Sequence, residues 1–224
     1  MEWSVPGFSY IPNFLPSEEE KDLFQKASKG RWTKLANRRL QKIGGTVPDD
    51  GRPMIRTPFP EYLQKVKSKI EDFLQLEGQR KKFQIEIVEE MNHVLINEYL
   101  PGQGIMAHTD GPAYSSVVAT ISTGSGQILN IRKKQNKELL YSVYLEPGAL
   151  SILHGRLYNE LHEIEENLSD DISSVSNFSC LSCPPENDNF ILPRQTRISF
   201  TFRNVRSTRS LPKSFLKSLN LTIT

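Results

Sequence analysis

Short stretches rich in β-forming residues follow one another from residue 91 onward, and they constrain the fold more than any other feature of the chain. Valine, isoleucine, leucine and aromatic residues predominate in them, and glycine, proline and asparagine lie between them. The stretches are HVLINEYL, SSVVATIS, QILNIRKK, ELLYSVYLEPGALSIL and RISFTFRNV. Many short strands separated by turn residues are typical of a β-sandwich or jelly roll rather than of a parallel α/β sheet. The sequence therefore predicts a mainly β core over residues 91–224.

Two helices are predicted before this core, within residues 1–90. PSEEEKDLFQKAS has Ser17 and Glu20 at the spacing of a capping box, and FPEYLQKVKSKIEDFLQLEG ends at Gly78, a residue type common after helices. Both have apolar residues at helical spacing. These residues are Leu23, Phe24 and Ala27 in the first helix and Leu63, Val66, Ile70 and Phe73 in the second. The helices are expected to pack outside the β core, in one structural domain.

Two further segments are predicted to lack long regular structure. The basic segment RWTKLANRRLQKIGGTVPDDGRPMIRTP, between the helices, contains many turn residues and predicts a loop or short hairpin on the surface. Residues 163–193 are rich in Ser, Asp, Glu and Asn and contain a Pro-Pro pair. That composition predicts a long flexible insertion between two strands.

The composition is that of a soluble globular protein, with 224 residues, 37% hydrophobic residues, 24% charged residues and a formal net charge of +2. The charge is unevenly distributed. Residues 21–82 contain 16 basic and 7 acidic residues, residues 157–193 contain 8 acidic and no Lys or Arg, and residues 194–224 contain 7 basic and no acidic residues. Two basic regions on either side of an acidic one can steer a polyanion, although solvated surfaces have the same pattern.

The ends and the cysteines indicate an intracellular protein. The first residues, MEWSVPGFSYIPNFLP, lack the basic and apolar parts of a signal peptide, and no apolar run has the length of a membrane span. Cys180 and Cys183 are too few for a disulfide scaffold, and a zinc site would need two more ligands, so we interpret them as incidental. A cytoplasmic or nuclear monomer without membrane association is expected.

The segment GIMAHTDGP places His108 and Asp110 one residue apart. In an extended chain, residues i and i+2 point to the same side, so both side chains can reach one ion. An imidazole and a carboxylate suit a divalent metal such as ferrous iron. The competing interpretation is a pair of solvated loop residues, and a third ligand would decide between the two.

The candidates for the third ligand are the other histidines, His93, His154 and His162. His162 is preferred because it begins the strand-like HEI after the turn HGRLYN, whereas His154 follows an apolar run and has the surroundings of an ordinary half-buried histidine. Two histidines and one carboxylate form the facial triad, which leaves coordination positions open for oxygen and an oxo acid.

Two strands carry polar residues on one face. Alternation in RISFTFR separates Ile198, Phe200 and Phe202 from Arg197, Ser199, Thr201 and Arg203. If the arginines point inward they need anions, because an unpaired buried charge is costly, and a dicarboxylate cosubstrate would supply them. The alternative is that this face points to solvent. In NEY, Asn97 and Tyr99 also share a face and could hydrogen-bond the same small ligand.

Together these features resemble the AlkB-type Fe(II)- and 2-oxoglutarate-dependent dioxygenases. The matching order is the NEY strand, a Pro-Gly turn, HTD, the run G-R-x-Y-x-x-x-H at residues 155–162, and Arg-x5-Arg in RISFTFR. The resemblance covers residues 90–205, RRLQKIGG resembles the lid segment of the family, and the chain is most similar to the sixth AlkB-homologue subgroup.

The resemblance implies a double-stranded β-helix (jelly roll) that uses Fe(II), 2-oxoglutarate and O2. It implies iron ligands at His108, Asp110 and His162, and 2-oxoglutarate contacts at Asn97, Tyr99, Arg197 and Arg203. It places Tyr158 and Arg156 at the edge of the site, and Trp32, Arg38, Arg39 and Lys42 in a basic lid. The implied reaction is hydroxylation or oxidative demethylation of a nucleic acid, either RNA or a single strand.

The sequence departs from the family directly after His-x-Asp. Base-demethylating members often carry polar or acidic residues there, whereas Gly111 and Pro112 follow in this chain, so the sequence does not carry the base recognition of the familiar kind at these two positions. Trp32 has the alternative role of a packing aromatic residue. Two other functions stay open, namely a binding module with a weak or vestigial iron site, and a hydroxylase or demethylase of protein side chains.

Overall fold

The structure is a computed structural model and describes residues 2–85, 89–182 and 189–210. Cys183, the Pro-Pro pair of the predicted insertion and the last residues of the predicted core, 211–224, lie outside the described residues. No helix in the described part of the chain is long and apolar enough to cross a membrane.

The described residues form sixteen strands, three α-helices and two short 3-10 turns. The first elements are β1 (Trp3–Val5), β2 (Phe8–Ile11), α1 (Ser17–Ser28), β3 (Thr33–Lys34), β4 (Arg39–Ile43), β5 (Met54–Arg56), α2 (Glu61–Gln75) and α3 (Glu77–Phe83). Next come β6 (His93–Tyr99), β7 (Ile105–His108), β8 (Tyr114–Gly124), β9 (Gln127–Arg132), β10 (Leu139–Leu145), β11 (Leu150–His154), a 3-10 turn (Gly155–Asn159) and β12 (Leu161–Ile164). The last are β13 (Ser169–Asp171), a 3-10 turn (Phe178–Cys180), β14 (Ile191–Pro193), β15 (Arg197–Val205) and β16 (Thr208–Ser210). Every β-rich stretch predicted from the sequence contains at least one strand.

Two antiparallel sheets enclose the interior of the protein. The larger has the strand order β1-β2-β11-β8-β15-β6-β4-β3, and the smaller has the order β10-β9-β12-β7. Sequence neighbours are distributed over both sheets, and a cavity lined by residues of both lies between them. This is a jelly roll, and the predicted fold class is confirmed.

The central strand β15 lies between β8 and β6, and its two faces differ in the predicted way. The three apolar residues are fully buried and pack with the helices in one hydrophobic cluster. The four polar residues are buried too, but they line the cavity between the sheets. They are Arg197, Ser199, Thr201 and Arg203. The alternative of a solvent-facing polar side is therefore wrong.

The first helix forms, but it starts differently from the prediction. Pro16 precedes α1 and no side chain caps it, so the predicted capping box is wrong. Glu20 is buried instead, and its Oε1 accepts a hydrogen bond from the backbone N–H of Gly124 at 2.7 Å. The carboxylate thus joins the helix to the end of β8 rather than to its own first turn.

The second predicted helix is divided in two. Leu76, with an extended ψ of 123°, separates α2 from α3. Gly78 therefore lies inside a third helix and does not end the second. The predicted apolar face packs against the larger sheet: Leu63 and Ile70 are fully buried, and Val66 and Phe73 are partly buried.

The basic segment between the helices is more regular than a surface loop. β3 and β4 form the predicted hairpin, and β4 pairs with β6 at the edge of the larger sheet. Leu40 and Gln41 are buried there. Leu40 and Lys42 of β4 line a cavity that Asp110 also lines, so one face of β4 lies beside the predicted site.

The insertion predicted to be flexible is folded over its described parts, residues 163–182 and 189–193. Strands β13 and β14 pair with each other. Arg194 donates two hydrogen bonds to the Asp170 carboxylate at 2.6 and 2.7 Å, and both side chains are almost completely buried. The polar composition suggested disorder because composition does not reveal which charges pair inside the protein.

Candidate metal centre and adjoining cavities

The three predicted metal ligands meet on the smaller sheet. His108 ends β7, Asp110 follows two residues later, and His162 lies on β12 directly opposite His108 in the antiparallel pairing. Taking one ligand atom from each side chain, all three atoms lie within 4.8 Å of one another. The group could therefore hold a metal ion.

His154, the alternative third ligand, does not join this group. It lies at the end of β11 in the larger sheet. Its side chain is buried, and burial lowers its pKa to about 4. It is therefore a neutral histidine in the protein interior.

The protonation of the two histidines fits a cation. Nδ1 of His108 lies 2.8 Å from the carbonyl oxygen of Met106, and a carbonyl only accepts, so Nδ1 donates this hydrogen bond and Nε2 is the ring nitrogen that faces a cation as a possible ligand. Burial lowers the pKa of His162 to about 4, against a smaller raising effect of Asp110. Two imidazoles and one carboxylate are a ligand set suited to ferrous iron.

Arg203 forms an ion pair with Asp110, and both side chains are almost completely buried. The guanidinium also lies over the ring of Tyr114, 4.8 Å from its centroid. Arg203, the last residue of β15 that faces the cavity, therefore holds the carboxylate of Asp110 in place.

The cavity between the sheets, the intersheet cavity, contains the metal-ligand group and the predicted cosubstrate residues. Its polar lining consists of His108, Asp110 and His162 together with Asn97, Tyr99, Thr120, Ser151, Arg197, Ser199, Thr201 and Arg203. Apolar side chains, including Leu95, Leu129 and Leu153, complete the wall. A small molecule in this cavity would lie beside the metal ligands.

Arg197 is the most deeply buried charge in this cavity, with 1% of its surface exposed. It donates one hydrogen bond to Ser122 at 2.9 Å, and its Nε has no partner among the described residues. Burial lowers its pKa to about 10, so it stays protonated at neutral pH. In the described part of the chain no carboxylate pairs with it, which leaves its charge available to an anionic ligand.

Asn97 and Tyr99 lie opposite Ser199 and Arg197, respectively, in the pairing of β6 with β15. Burial raises the pKa of Tyr99, so its hydroxyl is protonated at neutral pH. The side-chain oxygen of Asn97 accepts a hydrogen bond from Nε of Arg38 at 3.1 Å. The predicted lid residue Arg38 is therefore in direct contact with the cavity wall.

The other residues predicted near the site have mostly structural contacts. Trp32 packs on the core, its Nε1 donates to Ser28 at 3.2 Å, and Arg39 lies over its ring while pairing with Glu98. Neither Trp32 nor Arg39 lines the intersheet cavity. These contacts favour the packing interpretation of Trp32.

Tyr158 and Arg156 lie on the 3-10 turn that follows β11. The Tyr158 hydroxyl donates to the carbonyl oxygen of Gly111 at 2.8 Å, which fixes the turn after Asp110. Burial raises the pKa of Tyr158 to about 12. Arg156 is exposed.

A second cavity, the lid cavity, adjoins the first, and Asp110 and Leu95 line both. Its remaining lining comes from β4, the loop after it, the turn after Asp110, the end of β15 and β6. His93, at the start of β6, belongs to this lining and not to the metal-ligand group, for which it was a candidate. The signal was available, because strand alternation places His93 on the same face as Asn97 and Tyr99.

The fold and the site define a jelly-roll oxygenase with a two-histidine, one-carboxylate centre. The family profile of the 2OG-Fe(II) oxygenase superfamily matches residues 7–203. The chain belongs to this superfamily and is an Fe(II)- and 2-oxoglutarate-dependent oxidoreductase of the AlkB type.

Among similar proteins, the Danio rerio protein named "Probable RNA/DNA demethylase ALKBH6" is 35% identical over 216 residues, which cover 89% of this chain and 86% of the relative. Mouse (Mus musculus) "tRNA (carboxymethyluridine(34)-5-O)-methyltransferase ALKBH8" is 26% identical, over 92% of this chain but only 31% of its own length. The solved structure of OsALKBH1 superposes with a TM-score of 0.63 at 17% identity, covering 90% of this chain and 98% of that one. That structural likeness supports the fold.

Proposed function

We propose that this chain binds Fe(II) through His108, Asp110 and His162, binds 2-oxoglutarate through Arg197, and oxidises a C–H bond of a nucleic acid. The observation that carries the proposal is the burial of Arg197 in the cavity that also contains the metal-ligand group. A buried cation is costly unless an anion joins it, and one carboxylate of a dicarboxylic cosubstrate is such an anion.

The bound iron and 2-oxoglutarate supply the activation of O2 and the oxidation of the substrate, with succinate and carbon dioxide as coproducts. The residues of the chain position these groups and keep bulk water away from them. Arg197 and the protonated Tyr99 would hold a carboxylate of 2-oxoglutarate, and Arg203, six residues further along the same strand, orients Asp110. The apolar wall of the intersheet cavity excludes water from the reacting groups.

A nucleic-acid substrate is supported by the name of the Danio rerio relative and by charge. Lys42, Arg52 and Arg206 line the lid cavity beside Asp110 and are exposed, so they can contact phosphates. If the oxidised C–H bond belongs to an N-methyl group, the hydroxylated product loses formaldehyde, and the net reaction is demethylation.

Anaerobic titration with Fe(II) and 2-oxoglutarate tests the centre through the visible metal-to-ligand charge-transfer band. We expect the band in the wild type and in His154→Ala, and its loss in His162→Ala. If the wild type gives no band and calorimetry detects no 2-oxoglutarate binding, the proposed centre is wrong.

Binding of a fluorescein-labelled single-stranded RNA at two or more salt concentrations tests the substrate. We expect affinity to fall steeply with salt, because phosphate contacts release counterions. A band without RNA binding would favour a protein side chain as the substrate. Salt-sensitive RNA binding without a band would favour a binding module.

A further inference from the structure

The lid cavity is positioned to receive the group that is oxidised. It shares Asp110 with the metal-ligand group, and β4 of the lid forms one of its sides through Leu40 and Lys42. The turn after Asp110 forms another side, through Gly111, Pro112, Ala113 and Tyr114. A group entering here would therefore come within reach of the metal without passing through the cosubstrate cavity.

His93 and Tyr114 form an aromatic side of this cavity. Their ring centroids are 5.8 Å apart at an interplanar angle of 43°. Only 2% of the surface of His93 is exposed, and its Nδ1 has no hydrogen-bond partner among the described residues. An unpartnered buried nitrogen is costly, and a hydrogen-bonding group on a ligand would satisfy it.

The charges around the lid cavity are mainly positive. Three of its lining residues are basic, namely Lys42, Arg52 and Arg206, and two are acidic. Asp110 is already paired with Arg203, and Arg52 is paired with Asp50 at 2.7 Å. Lys42 and Arg206 therefore face one remaining acidic residue, Asp49, which lies exposed in the loop after β4.

His93 adds no charge to this balance. Burial lowers its pKa to about 4, and the nearby charges of Arg203 and Lys42 lower it further. Its imidazole is therefore neutral at neutral pH, and can donate from one nitrogen and accept at the other. A cationic ligand would find no unpaired buried carboxylate here, whereas a neutral ring could hydrogen-bond the unpartnered Nδ1 of His93.

We propose that the lid cavity takes an uncharged methylated nucleobase of a single strand, that His93 hydrogen-bonds this base, and that bases with a positive charge are disfavoured. The proposal rests on the proposed function. It also gives a physical reason for the absence of polar or acidic residues at Gly111 and Pro112, because a neutral base requires no counter-charge there.

The test compares two isomeric probes that differ in charge. Each is a fluorescein-labelled 12-mer RNA with one modified adenosine, either N6-methyladenosine, which is neutral, or 1-methyladenosine, which is cationic at neutral pH. Binding to the full chain is measured by fluorescence anisotropy with Fe(II) and 2-oxoglutarate under anaerobic conditions, so that no turnover occurs. We expect the neutral probe to bind at least tenfold more tightly than both the cationic probe and the unmodified RNA.

Two variants with the same substitution test whether the preference for the neutral probe depends on His93. His93→Phe keeps an aromatic ring but removes both nitrogens, so we expect the ratio of the two affinities to fall towards one. His154→Phe makes the same change at a buried histidine that lines neither cavity, and we expect it to keep the wild-type ratio. Thermal unfolding of both variants shows whether they are folded.

A third variant reverses the charge balance. Ala113→Glu introduces a carboxylate into the lining, and we expect it to improve binding of the cationic probe relative to the neutral one. The proposal is overturned if the wild type prefers the cationic probe or does not distinguish the modified RNAs from unmodified RNA. It is also overturned if a folded His93→Phe keeps the wild-type ratio. The charge-transfer band is recorded without RNA, so a failed centre and a failed base preference are separate results.

Discussion

Nε of Arg38 donates a hydrogen bond to the side-chain oxygen of Asn97 across 3.1 Å, and this contact joins the lid hairpin to the wall of the intersheet cavity. Because the oxygen of Asn97 is occupied, the amide NH2 is the end of this side chain that remains to donate to an anionic ligand. The lid and the cosubstrate are thereby expected to depend on each other.

Arg38→Ala is expected to weaken 2-oxoglutarate binding. A side-chain hydrogen bond contributes about 1 kcal/mol, so the dissociation constant measured by anaerobic calorimetry should rise roughly fivefold. Lys34→Ala, on the exposed first strand of the same hairpin, is the control and should leave the constant unchanged. Equal effects in the two variants would contradict a specific role for Arg38.

Arg197→Met is expected to weaken 2-oxoglutarate binding strongly while leaving the fold stable. Charge-assisted hydrogen bonds contribute about 1.5–3 kcal/mol each, so the dissociation constant for 2-oxoglutarate should rise about a hundredfold or more. Removing a buried cation that has no described carboxylate partner should not lower the melting temperature.

Arg194→Met is expected to destabilise the protein, in contrast to Arg197→Met. It leaves Asp170 buried without its partner, which should cost about 3–5 kcal/mol of unfolding free energy. Similar losses of stability in Arg194→Met and Arg197→Met would show that Arg197 has a structural partner of its own.

Gly104→Ala is expected to disturb the metal-ligand group from a distance. A Cβ at this position would overlap the backbone oxygen of Ile164, on the strand that carries His162. The pairing of β7 with β12, which places His162 opposite His108, would have to shift. We expect Fe(II) affinity, followed through the charge-transfer band, to fall at least tenfold. Gly78→Ala, whose added Cβ meets no atom, should leave the affinity unchanged.

The stability of the metal-free protein is expected to fall as the pH is lowered from about 6.5 towards 4. The pKa of His154 is about 4 in the folded protein and 6.5 in its unperturbed state, so the unfolded chain binds more protons in this window and acid favours unfolding. One such histidine contributes a slope of up to about 1.4 kcal/mol per pH unit. Denaturant unfolding at several pH values gives the free energy of unfolding as a function of pH. Its slope between pH 4 and 6.5 should be shallower in His154→Leu than in the wild type, and an unchanged slope would contradict the effect of burial on His154.

Local patterns in the sequence predicted much of the fold and site. Strand alternation separated Arg197 from Ile198, but it did not show which face points inward, because that depends on the second sheet. The His-x-Asp spacing predicted two candidate ligands, and the preference for His162 depended on a strand there, which the pairing of β12 with β7 confirms.

What the sequence did not reveal depends on contacts between distant segments. Glu20 has the spacing of a capping residue, yet its carboxylate binds the backbone of Gly124, 104 positions away. The sequence considered His93 only as a metal ligand, because its neighbours in the lid cavity come from β4, the turn after Asp110 and the end of β15. No pattern within one segment contains that information.

The ion pair between Arg203 and Asp110 has a consequence for a cell that is short of iron. Where a metal alone balances the charge of its ligands, loss of the metal can unfold the domain. Here Arg203 already balances the only carboxylate of the metal-ligand group, Asp110, without a metal. We therefore expect the apoprotein to keep its native conformation while iron is scarce. It should bind iron again when iron becomes available, without synthesis of new protein.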